Sequence, residues 1–396
     1  VLKTAVMFGA DAVYIGGEAF GLRAKAKNFS MEDMKEGVQF AHEHGARVHV
    51  TVNILAHNDD LEGVAEYLKE LKEIGPDALI IADPAIFMLA KEICPEIERH
   101  VSTQANNTNY GTFNFWWNLG AKRVVTAREL SLKEIREIRA HIPAEMEIES
   151  FIHGAMCISY SGRCLLSNFF TGRDANQGAC THPCRWKYSV VEETRPGEYM
   201  PVYENERGTY IFNSKDLCMI EHIPEMIDAG IDSFKIEGRM KTALYVATVA
   251  RTYRKAIDDY LEDPKKYEAN MPWYRDQISN CTYRQFTTGF YFGKPGDESQ
   301  IYDSNTYIKE YTYLGIIGGI KDGMYRIEQR NKFSVGETVE IMKPDGQNVE
   351  VTVEKIIDED GQEQESAPHP KQVLYVALSG EASVYDILRR QEGVTE

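Results

Sequence analysis

Cys157, Cys164, Cys180 and Cys184 fall within 28 residues of one another, while Cys94, Cys218 and Cys281 are scattered over the rest of the chain. A thiol cluster in a long, otherwise cysteine-poor protein points to a metal or an iron–sulfur cluster. Disulfide frameworks belong to short secreted chains. The spacing is C-x6-C-x15-C-x3-C. Zinc sites usually carry tighter C-x2-C pairs, whereas iron–sulfur clusters accept wider, irregular spacing provided four thiolates converge. A 4Fe–4S cluster is therefore expected, with zinc as the alternative and free buried thiols as the third reading. Arg163, Arg173 and Arg185 would offset the charge of a thiolate-ligated cluster. The stretch DLCMIEHI reads as an amphipathic helix with Cys218 on its apolar face, and Cys94 and Cys281 read as core thiols as well.

A single nucleophilic cysteine is the competing chemistry. It would need a histidine in reach, and His153, His182 and Asn213 are candidates. Nucleophilic catalysis uses one cysteine, however, not four. The chain has no G-x-S-x-G elbow and no H-E-x-x-H helix, so serine-hydrolase and zincin mechanisms lack their residues.

Other chemistry collects at the ends of β-rich runs: Asn53, Asp83, Gln104, Asn106, Glu149, His153, Asn213, Lys215, Lys235, Glu237 and Arg239. Most such residues are expected to be caps or loop contacts. Lys235, Glu237 and Arg239 stand at period-two spacing, which would put three charges on one strand face. Inside a barrel mouth these must pair or bind something. Arg239 is expected to act as a fork for a carboxylate or phosphate. Glu149 and His153 share a strand face just before Cys157, as a structural pair or a catalytic one.

These residues need a scaffold, and its elements are visible in the sequence. Residues 1–265 alternate short apolar runs with amphipathic helical runs. Runs such as LIIA and VVTA suit parallel strands buried on both faces. Eight of them, from DAVYIGG at 11–17 to GTYIFNS at 208–214 and DSFKIEG at 232–238, predict a (β/α)8 TIM-like barrel. The runner-up is a doubly wound sheet, but no G-x-G-x-x-G follows a first strand. The cysteine-rich stretch 154–188 reads as an insertion after one barrel strand. Residues 283–396 change texture. Glycine-punctuated runs (GFYFG, YTYLGIIGGI, MYRIEQR, TVEIMKP, NVEVTVEKII, QVLYVAL) with turns at Asp322-Gly323 and Asp345-Gly346 predict a small antiparallel β-barrel.

The formal charge is −17, unfavourable for a general nucleic-acid binder. Its distribution is uneven. Residues 157–188 hold Arg163, Arg173, Arg185 and Lys187 against Asp174 alone, and residues 234–256 have six basic side chains against Glu237 alone. One face is thus suited to an anionic ligand or RNA. No apolar run is long enough to span a bilayer, and seven cysteines, an odd count, suggest a reducing compartment, the cytoplasm.

EIESFIHGAMCISYSGRCLLSNFFTGRDANQGAC resembles the signature of the collagenase-like U-thirty-two peptidase family. GADAVYIGG, HVSTQAN, ENERGTYIFNSKDL and DSFKIEGRMKTALYVATVARTYRKAIDDY extend the resemblance over nearly the whole barrel, and the glycine-punctuated region resembles the family's C-terminal barrel. The family usually opens with a strand like ELLAPAG, which this chain lacks before LKTAVMFGA. The resemblance implies two activities. One is the peptidase of the family name, metal- or cysteine-dependent. The other is RNA modification to 5-hydroxyuridine, in tRNA or ribosomal RNA, by a route that depends on prephenate; related members of the family carry a 4Fe–4S cluster. CTHPCRWKY and the segment after it most resemble the tRNA-hydroxylating subgroup. In that subgroup the four clustered cysteines are the implied ligands, without Cys218. This makes a uridine hydroxylase acting on tRNA the leading expectation, with Lys235, Arg239 and Arg163 holding carboxylate or phosphate. Arg173, Gln104, Asn213 and Lys215 are expected to contact substrate, and Glu149, His153 and Glu237 to serve the chemistry. A non-enzymatic RNA-binding partner is the third reading.

Overall fold

The structure is a computed structural model that describes all residues except 18–28, 158, 174, 177–179, 186–203, 206–207, 210–213, 240, 282–284, 296–309 and 393–396. The chain forms two compact units. One contains Asp11–Met240 and Arg284–Thr306; the other contains Val1–Ala10, Lys241–Tyr283 and Tyr307–Glu396. This differs from the division at 265 and 283 expected from sequence texture.

The larger unit is a TIM-like β/α wind. Strands β1 (Ala12–Gly16), β2 (Arg47–Val52), β3 (Ala78–Ile81), β4 (Glu98–Val101), β5 (Arg123–Val125) and β6 (Glu147–Ala155) pair in parallel in sequence order. Val48, Val50, Leu79 and Ile81 are fully buried, as parallel strands covered on both faces require. Helices α2 (Met31–Glu43), α3 (Val64–Ile74), α4 (Pro84–Ile93), α5 (Tyr110–Leu119) and α6 (Leu132–Ala140) make the crossovers; α1 (Leu2–Met7) belongs to the other unit. Their starts are written locally. Ser30 with Asp33 and Ser131 with Glu134 form capping boxes, and Asp83 caps α4 through the amides of Ala85 and Ile86.

After β6 the cysteine-rich segment carries the short helix α7 (Leu166–Thr171). The strand expected at 208–214 does not enter the sheet within the described residues. β7 (Glu204–Asn205) and β8 (Gly208–Thr209) make a separate hairpin. β9 (Asp216–Cys218) runs antiparallel to the end of β6, with Cys218 opposite His153. Cys218 is therefore a half-buried strand residue, not a thiol on a helix face. Pairing with β6 outweighs local helical spacing there, and helix α8 (Ile223–Asp228) starts only at the turn before Pro224. β10 (Ser233–Ile236) pairs directly with β6, with a bulge that sets Lys235 opposite Phe151 and Ile236 opposite His153. The GFYFG stretch, expected as a strand, forms turns after β11 (Phe286–Thr287). Its Tyr291 is buried, and the hydroxyl donates to the carbonyl of Phe151.

The smaller unit is a closed antiparallel barrel with helices. Helix α9 (Ala243–Glu262) ends at Asp263, which caps α10 (Pro264–Ser279); Pro264 opens this next helix. Strands β12 (Tyr311–Lys321), β13 (Met324–Gln329), β14 (Thr338–Met342), β15 (Asn348–Asp358), β16 (Glu363–Gln364), β17 (Val373–Leu378) and β18 (Ile387–Gln391) follow. Pairing in the order β14-β18-β12-β13-β17-β15 and back to β14 closes six of them into a ring, as expected for this region. Leu314, Ile327, Phe333, Val353, Leu374 and Val376 fill it. β18, ILRRQ, is concealed in the sequence by its arginines, yet Arg389 is fully buried on the carboxylate of Glu340. A second apolar cluster joins Phe8 at the end of α1 to Leu244 and Ala247 of α9 and to Met342 and Ile387 of the barrel. This shared burial is why α1 and α9 belong to this unit. Among the described residues no helix is long and apolar enough to cross a membrane.

Candidate functional site

The interior of the β/α unit is polar where its strands converge. Tyr14, His49, His100, Arg123, Glu149 and Lys235 come from β1, β2, β4, β5, β6 and β10. Glu149 is 3% exposed, yet it accepts from Lys235 Nζ at 2.5 Å, Arg123 Nη1 at 2.8 Å and Ser233 Oγ at 2.9 Å. Arg123 also binds Glu147, at 2.7 Å. Burial alone would raise the Glu149 carboxyl, but Lys235 and Arg123 outweigh it and hold the group well below the usual carboxylate range. Lys235 Nζ also lies 4.4 Å from the centroid of the Tyr14 ring. His49 and His100 meet edge to face at 4.8 Å, and His100 Nε2 lies 3.0 Å from Glu98. Burial, reinforced by His100, drives His49 down to about 2, so its ring is neutral. His49, His100, Arg123 and Tyr14 do not stand out in the sequence as site residues. Their signal was a large polar side chain alternating with, or set beside, buried apolar residues in a strand.

The expected charged triplet is divided. Only Lys235 lies in β10. Glu237, beyond its end, pairs with Arg128 at 3.4 Å, and Arg128 packs over the Phe151 ring at 3.9 Å. Arg239 crosses to β1 and β2, donating to Thr51 Oγ1 at 3.5 Å and lying against Gly16, where any Cβ would overlap its guanidinium. His153 is buried, 5.7 Å from the ring of Phe286. Asp83 is a helix cap that also receives the amide of Ala56.

At the C-terminal ends of β2 and β4 a group of carboxamides is gathered. Asn53 Nδ2 donates to Ser102 Oγ at 3.1 Å, and the same hydroxyl receives the Gln104 amide at 3.2 Å. Asn106, at φ +53°, donates to the Gln104 carbonyl at 2.8 Å. Asn53 Oδ1, Asn106 Oδ1 and both side-chain polar atoms of Gln104 are buried without a hydrogen-bond partner. Buried polar atoms left open in this way mark places for water or ligand.

The cysteine-rich segment lies over these strand ends. Gly162, at φ +72°, sits so close to the Gln104 carboxamide that any Cβ there would overlap it. Asn106 reaches the Ser161 carbonyl at 3.5 Å. Asn176 exchanges two hydrogen bonds with Leu55, accepting its N–H at 3.1 Å and donating to its carbonyl at 3.0 Å. Cys157 is exposed, while Cys164, Cys180 and Cys184 are half-buried. The His182 amide donates to Cys180 Sγ at 3.4 Å. Four cysteines on one segment are donors of the type that iron–sulfur clusters and zinc ions take. Among the described residues, no three His, Cys, Asp or Glu side chains converge on one point. Cys94 and Cys281 are buried core thiols, as expected. Arg163 and Arg173 are exposed, and Lys215 is half-buried immediately before β9. Asn213 and the side chain of Arg185 lie outside the described residues.

A TIM-like unit whose strand ends are covered by a four-cysteine segment, followed by a closed antiparallel barrel, defines the class. The chain belongs to Peptidase family U32, whose profile matches residues 1–301, and the profile of the U32 C-terminal domain matches residues 309–389. It is 42% identical to "tRNA hydroxylation protein P1" of Bacillus subtilis, over 98% of this chain and 92% of that one. It is 38% identical to "tRNA hydroxylation protein P" of Escherichia coli, over 93% and 89%. It is also 40% identical to the "23S rRNA 5-hydroxycytidine C2501 synthase" of Escherichia coli, over 66% of this chain and 38% of that protein.

Proposed function

We propose that this protein hydroxylates RNA, converting uridine at the wobble position of tRNA to 5-hydroxyuridine. The observation that carries this reading is identity of 36–42% over most of the chain with three proteins named for tRNA hydroxylation. It is supported by a polar strand-end site beneath a four-thiol segment, a position suited to catalysis in a β/α barrel. The peptidase of the family name is the second reading.

Replacing C5–H of a pyrimidine by C5–OH is a two-electron oxidation. The donor that delivers the oxygen must accept those two electrons, and prephenate or a derivative, a small carboxylate, is the donor class proposed. Cys157, Cys164, Cys180 and Cys184 would hold a 4Fe–4S cluster, which when bound supplies an electron-transfer or Lewis-acid centre; zinc is the alternative. Arg239 is the proposed carboxylate grip, because its guanidinium reaches the strand-end region past Gly16. Arg163 and Arg173 would meet RNA phosphate. Gln104 and Asn53 offer unfilled amide positions to the reacting partner, and Lys215 stands near the end of β6 through β9. Glu149 and Lys235, already paired with each other, set the electrostatics beneath the site. The cytoplasm is the compartment where such a tRNA substrate would be met.

The test is mass spectrometry of tRNA from cells lacking the gene and its paralogues. The expected result is loss of 5-hydroxyuridine, restored by the intact gene and not by a Cys157→Ala copy. Unchanged 5-hydroxyuridine in the deletion would refute the proposal. Cleavage of gelatin by the purified protein, abolished in the same Cys157→Ala variant, would favour the peptidase.

A further inference from the structure

The cysteine-rich segment turns an apolar, basic surface outward. Leu165 is 75% exposed and Phe169 81% exposed, and Phe170 and Tyr160 are about half as exposed as Phe169. Phe169 and Phe170 stand edge to face with centroids 5.2 Å apart. The other side of α7 is tied down. Ser167 is fully buried and receives the Thr181 amide at 3.0 Å, and Thr171 donates to the Ser167 carbonyl at 2.7 Å. The helix thus has a fixed inner face, toward the Cys180 arm, and an outer face of aromatic side chains. Four large apolar side chains exposed within eleven residues mark an interaction surface rather than scattered surface apolar groups.

Charge identifies the partner. Arg163 and Arg173 flank the patch and are exposed, and residues 157–173 contain no Asp or Glu, on a chain of formal charge −17. Exposed rings between arginines match the needs of unpaired nucleotides, whose bases stack on aromatic faces while their phosphates meet cations. A second copy of this chain fits poorly. A two-fold interface centred on the patch would bring Arg163 and Arg173 of both copies together, like charge against like.

We propose that Phe169 and Phe170, with Arg163 and Arg173, form a stacking platform for unpaired bases of the RNA substrate, beside the cysteines. The platform rests on the RNA reading above and deepens it. It places loop nucleotides next to the thiols, and it takes single-stranded rather than duplex RNA.

The experiment measures binding of an anticodon stem–loop RNA, and of a blunt duplex of equal length, to wild type, Phe169→Ala, Phe169→Leu and Phe170→Ala. Loop binding is expected to weaken by about 5- to 150-fold in Phe169→Ala, as for loss of one stacked base. Phe169→Leu, which keeps apolar area without a ring face, is expected to weaken it nearly as much, and duplex binding should not change. Thermal unfolding should be unaltered, since Phe169 packs little against the fold. Equal loop binding by the Phe169→Ala and wild-type proteins, with hydroxylation intact, overturns the platform alone. A change in oligomeric state of the free protein on Phe169→Ala overturns it in favour of a second copy. Failure of wild type to bind the loop RNA overturns the RNA reading and the platform together.

Discussion

Glu149 Oε1 and Lys235 Nζ face each other at 2.5 Å inside the β/α unit, with side chains 4% and 10% exposed. Their strands, β6 and β10, are neighbours, so the ion pair is a cross-strand tie as well as an electrostatic one. Removing one member leaves the other charged and buried. Lys235→Ala is expected to destabilise the fold by about 3–5 kcal/mol, and Lys235→Met, which keeps the stem's packing, by somewhat less. Urea denaturation monitored by circular dichroism measures both. An unchanged midpoint in Lys235→Ala would mean that Arg123 alone satisfies the carboxylate.

Acid should weaken the protein in two stages. His49 is held neutral by burial, with its pKa lowered to about 2. The unfolded imidazole takes up a proton below about pH 6.5, which the folded ring refuses, so stability falls as pH drops through that value. The loss for one such group is at most about 1.4 kcal/mol per pH unit. Glu149 has a depressed folded pKa, so its contribution is fully present above the unfolded value, about 4.3, and is lost as pH falls further. Thermal melts from pH 7.5 to 3.5 should show both limbs. His49→Gln should flatten the upper limb and leave the lower one; an identical upper limb would assign it to other groups.

The four clustered cysteines should separate from the other three. Prepared anaerobically, wild type is expected to be brown, with iron and sulfide in equal amounts. Alanine at Cys157, Cys164, Cys180 or Cys184 should bleach it, whereas alanine at Cys94, Cys218 or Cys281 should not. Colour retained after loss of Cys164 and Cys180 together would remove the proposed ligand set.

Gly162→Ala tests how the cysteine-rich segment is seated. The added methyl group meets the Gln104 carboxamide at a positive φ that alanine tolerates poorly. The segment should lift, lowering iron content and RNA hydroxylation, while the unfolding midpoint moves little. Gln104→Gly in the same chain removes the obstructing side chain and should restore part of the iron. No change in iron with Gly162→Ala would show that the contact is not needed for cluster assembly.

In the smaller unit Arg251 is buried and donates to the carbonyl of Lys343 at 2.8 Å and to Asn348 Oδ1 at 3.0 Å. Burial, then the nearby Arg389, lowers it to about 9. Arg251→Ala strips donors from half-buried acceptors, each worth up to about 1–3 kcal/mol. A lower melting temperature is expected even in the presence of RNA.

Much of this protein was legible in its sequence because the relevant forces are local. Apolar runs of strand length alternating with capped amphipathic helices determine the β/α wind, and glycine-punctuated β runs with Asp-Gly turns determine the antiparallel barrel. The cysteine spacing determines that four thiols travel on one segment. Cys218, β18 and the strand expected at 208–214 were not legible in this way. Pairing to β6 decides for Cys218, and an ion pair with Glu340 makes a buried strand residue of Arg389. The division of Lys235, Glu237 and Arg239 among Glu149, Arg128 and the β1–β2 edge is likewise tertiary, because period-two spacing holds only while the strand lasts and β10 ends at Ile236. Burial of His49, His100 and Arg123 around Glu149 depends on four strands converging on one axis. Each residue alone is an ordinary polar side chain, and only the low dielectric of the shared interior sets its charge.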